Sequence, residues 1–185
     1  GGRDGWTVVC PADGSSYPES LFGAAGRPVP GRLSDWEDTV DGWCDQYRHA
    51  VGRCAIVEVK LQSSVYAFDR HHERVVVAYG ISSAPTAGRD RNRMRRFPDV
   101  NVGVEVHLGD SAFPADRGHW LSHASGGELD INLFPHRRDL NRGWSPEGKT
   151  FRSMERRASQ PGTFHAHRGL YDDFTWIPAS LEYRV

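Results

Sequence analysis

The sequence predicts an α+β fold built on a central, mostly antiparallel sheet, and three observations predict it. Period-two alternation of apolar and polar residues recurs in short runs bounded by Gly, Pro and Ser. One long segment, 34–51, has helical spacing instead, and helical patterning returns only beyond residue 140. Two of the strand-like runs are joined by the four residues Arg70-His71-His72-Glu73, a hairpin-length connection. With 185 residues, of which 38% are hydrophobic, the chain can bury a real core, and it contains no internal repeat or low-complexity tract.

Residues 1–33 alternate short apolar runs such as Trp6-Thr7-Val8-Val9 with Gly, Pro and Ser, and read as a short strand in a looping lead-in. Over 34–51, Ser34 and Glu37 form a capping box, and Trp36, Val40, Trp43 and Tyr47 recur on one helical face, which assigns them to core packing. Alternation marks a strand over 56–61. Runs 65–69 and 74–79 form the hairpin, whose turn histidines, His71 and His72, are expected in solvent. Val102, Val104 and Val106 alternate with Gly103, Glu105 and His107 in a half-buried strand. Strand-like runs at 116–122 and 130–134 flank Gly126-Gly127. Helical patterning follows at 141–144 and, after a break at Ser145-Pro146-Glu147-Gly148, at 151–159. The tail returns to strand at 171–176 and 181–185. His165 and His167 share a strand face without a third ligand, so they read as surface residues. The expected organisation is a lead-in and helix (1–54) packed on a core formed by 55–185, one compact domain overall.

Charge is balanced, 23 Lys and Arg against 24 Asp and Glu, but it is unevenly placed. Residues 1–88 hold 8 basic and 11 acidic side chains, residues 89–185 hold 15 and 13, and 21 of the 23 basic residues are arginine. Positions 89–96 read RDRNRMRR. Guanidinium clusters suit phosphate, because the planar fork donates paired hydrogen bonds to its oxygens; Arg137 and Arg138 are further candidates for such contacts. No stretch reaches the roughly 18 apolar residues of a membrane span, and the N-terminus lacks a basic segment followed by an apolar run. The expectation is a soluble chain without a signal of its own. Cys10, Cys44 and Cys54 include no CxxC pair, which argues against structural zinc and leaves room for one disulfide, with Cys44 to Cys54 the pair considered.

The chemistry concentrates in Asp116-Arg117-Gly118-His119, Asn132-Leu133-Phe134-Pro135, Leu140-Asn141-Arg142-Gly143 and Phe151-Arg152-Ser153-Met154-Glu155. A neutral imidazole takes a proton from water near pH 7. Arginine neutralises charge developing on phosphorus oxygens. Asn and Glu offer hard oxygens to Mg²⁺, which keeps several waters and needs few protein ligands. Taken singly, each residue also has a structural use: Asn132 and Asn141 as turn or cap residues, Glu155 as the helix partner of Arg152 or Arg156.

In their order and spacing these segments resemble the DNA/RNA non-specific endonuclease family. That family's ββα-metal (His-Me finger) site is built from an Asp-Arg-Gly-His strand, an Asn-x-x-Pro return and a helix that opens Leu-Asn-x-Gly and carries Trp-x-x-x-Glu. Here Phe151 stands where the family has Trp, and His136 where it often has Gln. The resemblance covers about residues 55–185. It reaches upstream through Val77-Ala78-Tyr79 to Arg91-Asn92, and downstream to Ile177-Pro178 ahead of a closing strand.

The resemblance implies a ββα-metal motif and a Mg²⁺-dependent, sugar-nonspecific endonuclease cutting phosphodiester bonds of DNA, RNA or both, with Mn²⁺ or another divalent ion able to substitute. It implies His119 as general base, Asn141 as the direct metal ligand, Glu155 and Asn132 as groups that hold the geometry, and Arg117 and Arg91 as phosphate contacts. It also implies a protein that is secreted or delivered into a target cell, in the manner of the C-terminal toxin domain of a polymorphic bacterial toxin, with a cognate immunity protein as partner. The competing class is a non-catalytic nucleic-acid-binding module on the same scaffold.

Overall fold

Apolar alternation sorts the chain into two sheets and three helices among the residues that the computed structural model describes, 8–9, 33–85, 88, 105–108, 111–127 and 129–185. In chain order these are β1 (Val8–Val9), α1 (Leu33–Val51), β2 (Ile56–Leu61), β3 (Ser64–Asp69), β4 (Arg74–Ile81), β5 (Glu105–Leu108), β6 (Ser111–His119), β7 (Leu133–Arg137), α2 (Arg138–Arg142), α3 (Pro146–Ala158), β8 (Phe164–Leu170) and β9 (Ser180–Arg184). The larger sheet runs β1-β9-β8-β4-β3-β2 and the smaller β5-β6-β7. Every pairing is antiparallel except β1 with β9. The architecture is therefore α+β on a mostly antiparallel sheet, as the patterning predicts. No helix among the described residues is long and apolar enough to cross a membrane.

The larger sheet is covered on both faces. Val40, Trp43, Cys44 and Tyr47 of α1 pack on Val76, Val77, Phe164 and Ala166. On the other side, Tyr66, Ala78, Leu181 and Tyr183 meet Trp120 and Phe134 from the smaller sheet and its return, and Leu140, Phe151 and Met154 from the two C-terminal helices. Burying one such aromatic or aliphatic side chain is worth about 1.5–3 kcal/mol. Double coverage explains why β4 reads Val75-Val76-Val77-Ala78 without alternation: all four are buried.

It also corrects the reading of β8. Phe164 and Ala166 face α1, so His165 and His167, one residue out of phase, point into the opposite layer, where the His167 ring lies 3.6 Å from that of Tyr183. Both histidines are buried, not surface residues.

Three further expectations are displaced. The segment over 130–134 starts as a 3-10 turn, Asp130–Asn132, with Asp130 at φ 62°, and the strand begins at Leu133. Pro135 is accepted within β7 because that strand pairs only with β6 among the described residues. Residues 171–176 form a loop, not a strand; Arg74 Nη1 donates to the Asp173 and Thr175 carbonyls at 2.6 and 2.7 Å, using backbone acceptors that a ladder would have used. The break between α2 and α3 falls at 143–145. Gly143 caps α2 at φ 73°, and Pro146 opens α3 instead of breaking it, with the Ser145 hydroxyl accepting from the Gly148 N–H at 3.0 Å. A Cβ at Gly148 would lie 2.6 Å from the Asp139 carbonyl oxygen, so glycine lets the two helices touch.

The hairpin turn is tied inward by Asp69, which is fully buried. Its carboxylate accepts from Tyr47 Oη (2.7 Å), the Ala55 and His71 N–H groups (2.9 Å each) and His72 Nδ1 (2.6 Å). Burial opposes ionisation, but these donors outweigh it and hold Asp69 far below the usual carboxylate range. His72 is thus half-buried, its ring stacked on Phe174 at 5.1 Å, and not solvated as expected. Cys44 and Cys54 are free thiols, so the considered pair does not form, and burial pushes Cys44 up to about 11. Cys10, the 89–96 arginine run including Arg91, and the Ser34, Trp36 and Glu37 side chains lie outside the described residues.

Burial drives His165 down to about 4 and His167 well below 6.5. Above pH 6.5 both imidazoles are neutral folded or unfolded and contribute nothing. Below it only the unfolded chain takes up protons, so stability is lost as pH falls towards the folded values, by about 1.4 kcal/mol per pH unit per histidine. Thermal melting should therefore drop steeply between pH 6.5 and 5, and His165→Phe should shallow that slope. A melting temperature flat over this interval contradicts the assignment.

Candidate functional site

Strand β6 ends in Asp116-Arg117-Gly118-His119, with Arg117 and His119 two residues apart and so on one side of the strand. The chain returns through β7, where Arg117 pairs with Pro135 and His119 with Leu133. It then passes directly into α2, which carries Asn141, and α3, which carries Glu155. Arg117, His119, Asn141 and Glu155 line one cavity of about 470 Å³. His119 is only 9% exposed.

The α3 wall of this cavity is Arg152, Glu155, Arg156 and Ser159, one helical face at i, i+3, i+4 and i+7. Arg152 Nη1 bonds Glu155 Oε2 at 2.5 Å, so the structural pairing open to Glu155 in sequence is present inside the cavity. Arg117, by contrast, has no carboxylate partner among the described residues, and its buried Nε makes no hydrogen bond there. Three guanidinium groups and one carboxylate share this lining with two histidines, His119 and His123. The sequence motifs offer Arg152 and Arg156 only as helix partners of Glu155, and do not single out His123. The helical spacing about Glu155 is the signal that finds the two arginines.

The scaffold behind the cavity is polar. Asp116 accepts from Arg142 Nε at 2.6 Å, Arg138 Nε at 3.0 Å and Arg142 Nη2 at 3.1 Å, which ties α2 to β6. Burial opposes ionisation of Asp116, but the two guanidiniums outweigh it and hold the carboxyl below its ordinary range. Arg137 is taken up by Asp139 (2.7 Å) and stacks 4.1 Å from the Phe113 ring centroid. Arg137 and Arg138 are therefore each tied to a carboxylate in the fold.

Asn132 does not line the cavity. It is fully buried beneath the turn that follows His119, where its Oδ1 accepts from the Leu121 N–H at 2.8 Å and its Nδ2 donates to the Leu121 carbonyl at 2.7 Å. Trp120 N–H donates to the Asn132 carbonyl at 2.9 Å, closing the same loop. A Cβ at Gly127 would fall 2.0 Å from the Leu121 carbonyl oxygen, so glycine is required for the clamp to close.

His136 is also buried. It is hydrogen-bonded to the Asn141 side chain, and burial drives its pKa to about 3. Among the described residues no three His, Cys, Asp or Glu groups converge as a metal cage. The side-chain oxygens lining the cavity are the amide of Asn141, the carboxylate of Glu155 and the hydroxyls of Ser122 and Ser159, a hard and sparse set that suits Mg²⁺ retaining its waters. Compared with family models, with curated proteins and with solved structures, the chain returns no match.

Asn132→Ala strands the Leu121 N–H and C=O in a buried position, at about 1–3 kcal/mol for each unpaired group. Urea denaturation should show a loss of about 2–6 kcal/mol. Asn132→Asp should give little relief, because it turns an anionic oxygen on the Leu121 carbonyl. A loss below 1 kcal/mol in Asn132→Ala contradicts the clamp.

Proposed function

We propose that the protein is a divalent-metal-dependent endonuclease acting on phosphodiester bonds of DNA, RNA or both through a ββα-metal site formed by β6, β7 and the helices that follow. One observation carries this reading: an imidazole, an amide oxygen, a carboxylate and an arginine without a carboxylate partner among the described residues, supplied by three separate elements, line a single cavity. The strand-strand-helix succession that positions them supports it.

His119 takes a proton from the attacking water, the role of a positioned neutral imidazole. Arg117 bonds a non-bridging phosphate oxygen and meets the negative charge that grows on it during attack. Arg152 and Arg156 hold the flanking backbone, and Arg152 keeps Glu155 in place. A hydrated Mg²⁺ bound at Asn141, with Glu155 nearby, would supply positive charge at the phosphate and the leaving oxygen. Contacts of this kind read phosphates and not base edges, so cleavage is largely indifferent to sequence.

Incubation of the purified chain with plasmid and with total RNA, in Mg²⁺ and in EDTA, tests the activity. Metal-dependent cutting is expected; binding without cutting under any divalent ion leaves a binding module instead. His119→Ala should lower the cleavage rate by about 10²–10⁴-fold while nucleic-acid affinity survives. Asn141→Ala should be partly restored by raising Mg²⁺, and His119→Ala should not. A folded His119→Ala protein that cuts at the parental rate sinks the mechanism.

A further inference from the structure

Trp144 is an exposed indole on a backbone fixed from both sides. It stands in the corner between α2 and α3, where its N–H donates to the Asp139 carbonyl at 2.8 Å, Gly143 before it caps α2 at φ 73° and Ser145 after it caps α3. The residue is 64% exposed, so the ring gains little from the core. A lone exposed aromatic is ordinary, but this one is held. The Arg142 guanidinium lies 5.0 Å from the indole ring centroid and is itself pinned to Asp116 by hydrogen bonds of 2.6 and 3.1 Å. Carboxylate, guanidinium and indole are thus linked in series outward from β6.

The same corner adjoins the cavity. Asn141, three residues before Trp144, lines it. So does Arg152, which packs on the residue next to Trp144: a Cβ at Gly143 would lie 2.9 Å from Arg152 Cγ. We propose that Trp144 is the stacking platform for an unpaired nucleobase of a strand whose phosphate is held in the cavity, which makes single-stranded nucleic acid the favoured substrate class. This rests on the nuclease reading and deepens it. Every base has a π face, so stacking adds affinity without reading sequence, in keeping with contacts made to phosphates. Inside a duplex both faces of a base are covered by its neighbours, so only an unpaired base can lie on the indole. No other large hydrophobic side chain on α2 or α3 is exposed. The ring therefore offers one flat face of the size of a base and not the contiguous apolar patch of a protein interface.

The test measures binding by fluorescence anisotropy in EDTA, where hydrolysis is blocked, and cleavage in Mg²⁺. The probes are a deoxythymidine oligonucleotide, an abasic oligonucleotide with the same number of phosphates, and a DNA duplex. We expect Trp144→Ala to bind the base-bearing strand about 5–150-fold more weakly and to bind the abasic strand and the duplex within about twofold of the parent, with Trp144→Phe between. In Mg²⁺ the loss should appear in KM for single strands and not in kcat, and melting should hardly change. Parental affinity of Trp144→Ala for the base-bearing strand overturns the inference and leaves the nuclease reading intact. So do equal losses on the base-bearing and abasic strands, a parent that does not distinguish those two strands, or a large fall in melting temperature with the preference for bases retained. A parent chain that binds none of the three probes and cuts nothing overturns both.

Discussion

The grip of Arg142 and Arg138 on Asp116 decides where the helical half of the site lies relative to its strand half. Asp116 stands three residues before His119, and Arg142 directly follows Asn141, so one carboxylate ties the strand that carries His119 to the helix that carries Asn141. Such a pair is weak when exposed. Here the Asp116 side chain is 14% exposed and takes three donated hydrogen bonds, and removing it would leave two arginines without a partner. The short α2 helix has too few turns to hold its own place by packing, apart from Leu140 in the core.

A second theme is the use of buried polar groups to shape the loops that leave the strands. Asn132 acts as an extra rung between the end of β6 and the start of β7, which lets the chain leave the ladder at Trp120 without abandoning its hydrogen bonds. Asp69 does the same for the β3–β4 turn. Both side chains bond backbone groups and neither lines the cavity, yet each fixes a segment on which other contacts depend. An amide or carboxylate in such a place is costly to bury alone and specific once paired.

Most of the fold was legible because periodicity reports which faces are covered. The 56–61 strand, the 70–73 turn and the C-terminal end of α1 fall where alternation and helical spacing place them. Legibility fails where tertiary contacts override local pattern. His165 and His167 look polar and therefore exposed, but they lie on the sheet face that carries Tyr183, the cross-strand neighbour of His167, and that face is covered by elements local pattern does not reveal. Tyr171 to Trp176 have strand composition, but Arg74 takes two of their carbonyls. Pro146 reads as a breaker in isolation and as a first-turn residue once Ser145 is seen to cap it.

The candidate site shows the same division. That Arg117, His119, Asn141 and Glu155 belong together was an implication of the resemblance carried by four short segments, and they do line one cavity. That Arg137 and Arg138 each pair with a carboxylate, and that Arg152 and Arg156 join the cavity wall, were not. The difference is physical. Spacing along a strand or helix fixes direction within one element, whereas the partner of an arginine depends on which carboxylate another element brings within reach. Composition counted all 23 basic side chains alike. The fold divides those it describes into guanidiniums consumed by structure and two, Arg117 and Arg156, that line the cavity with no carboxylate partner among the described residues.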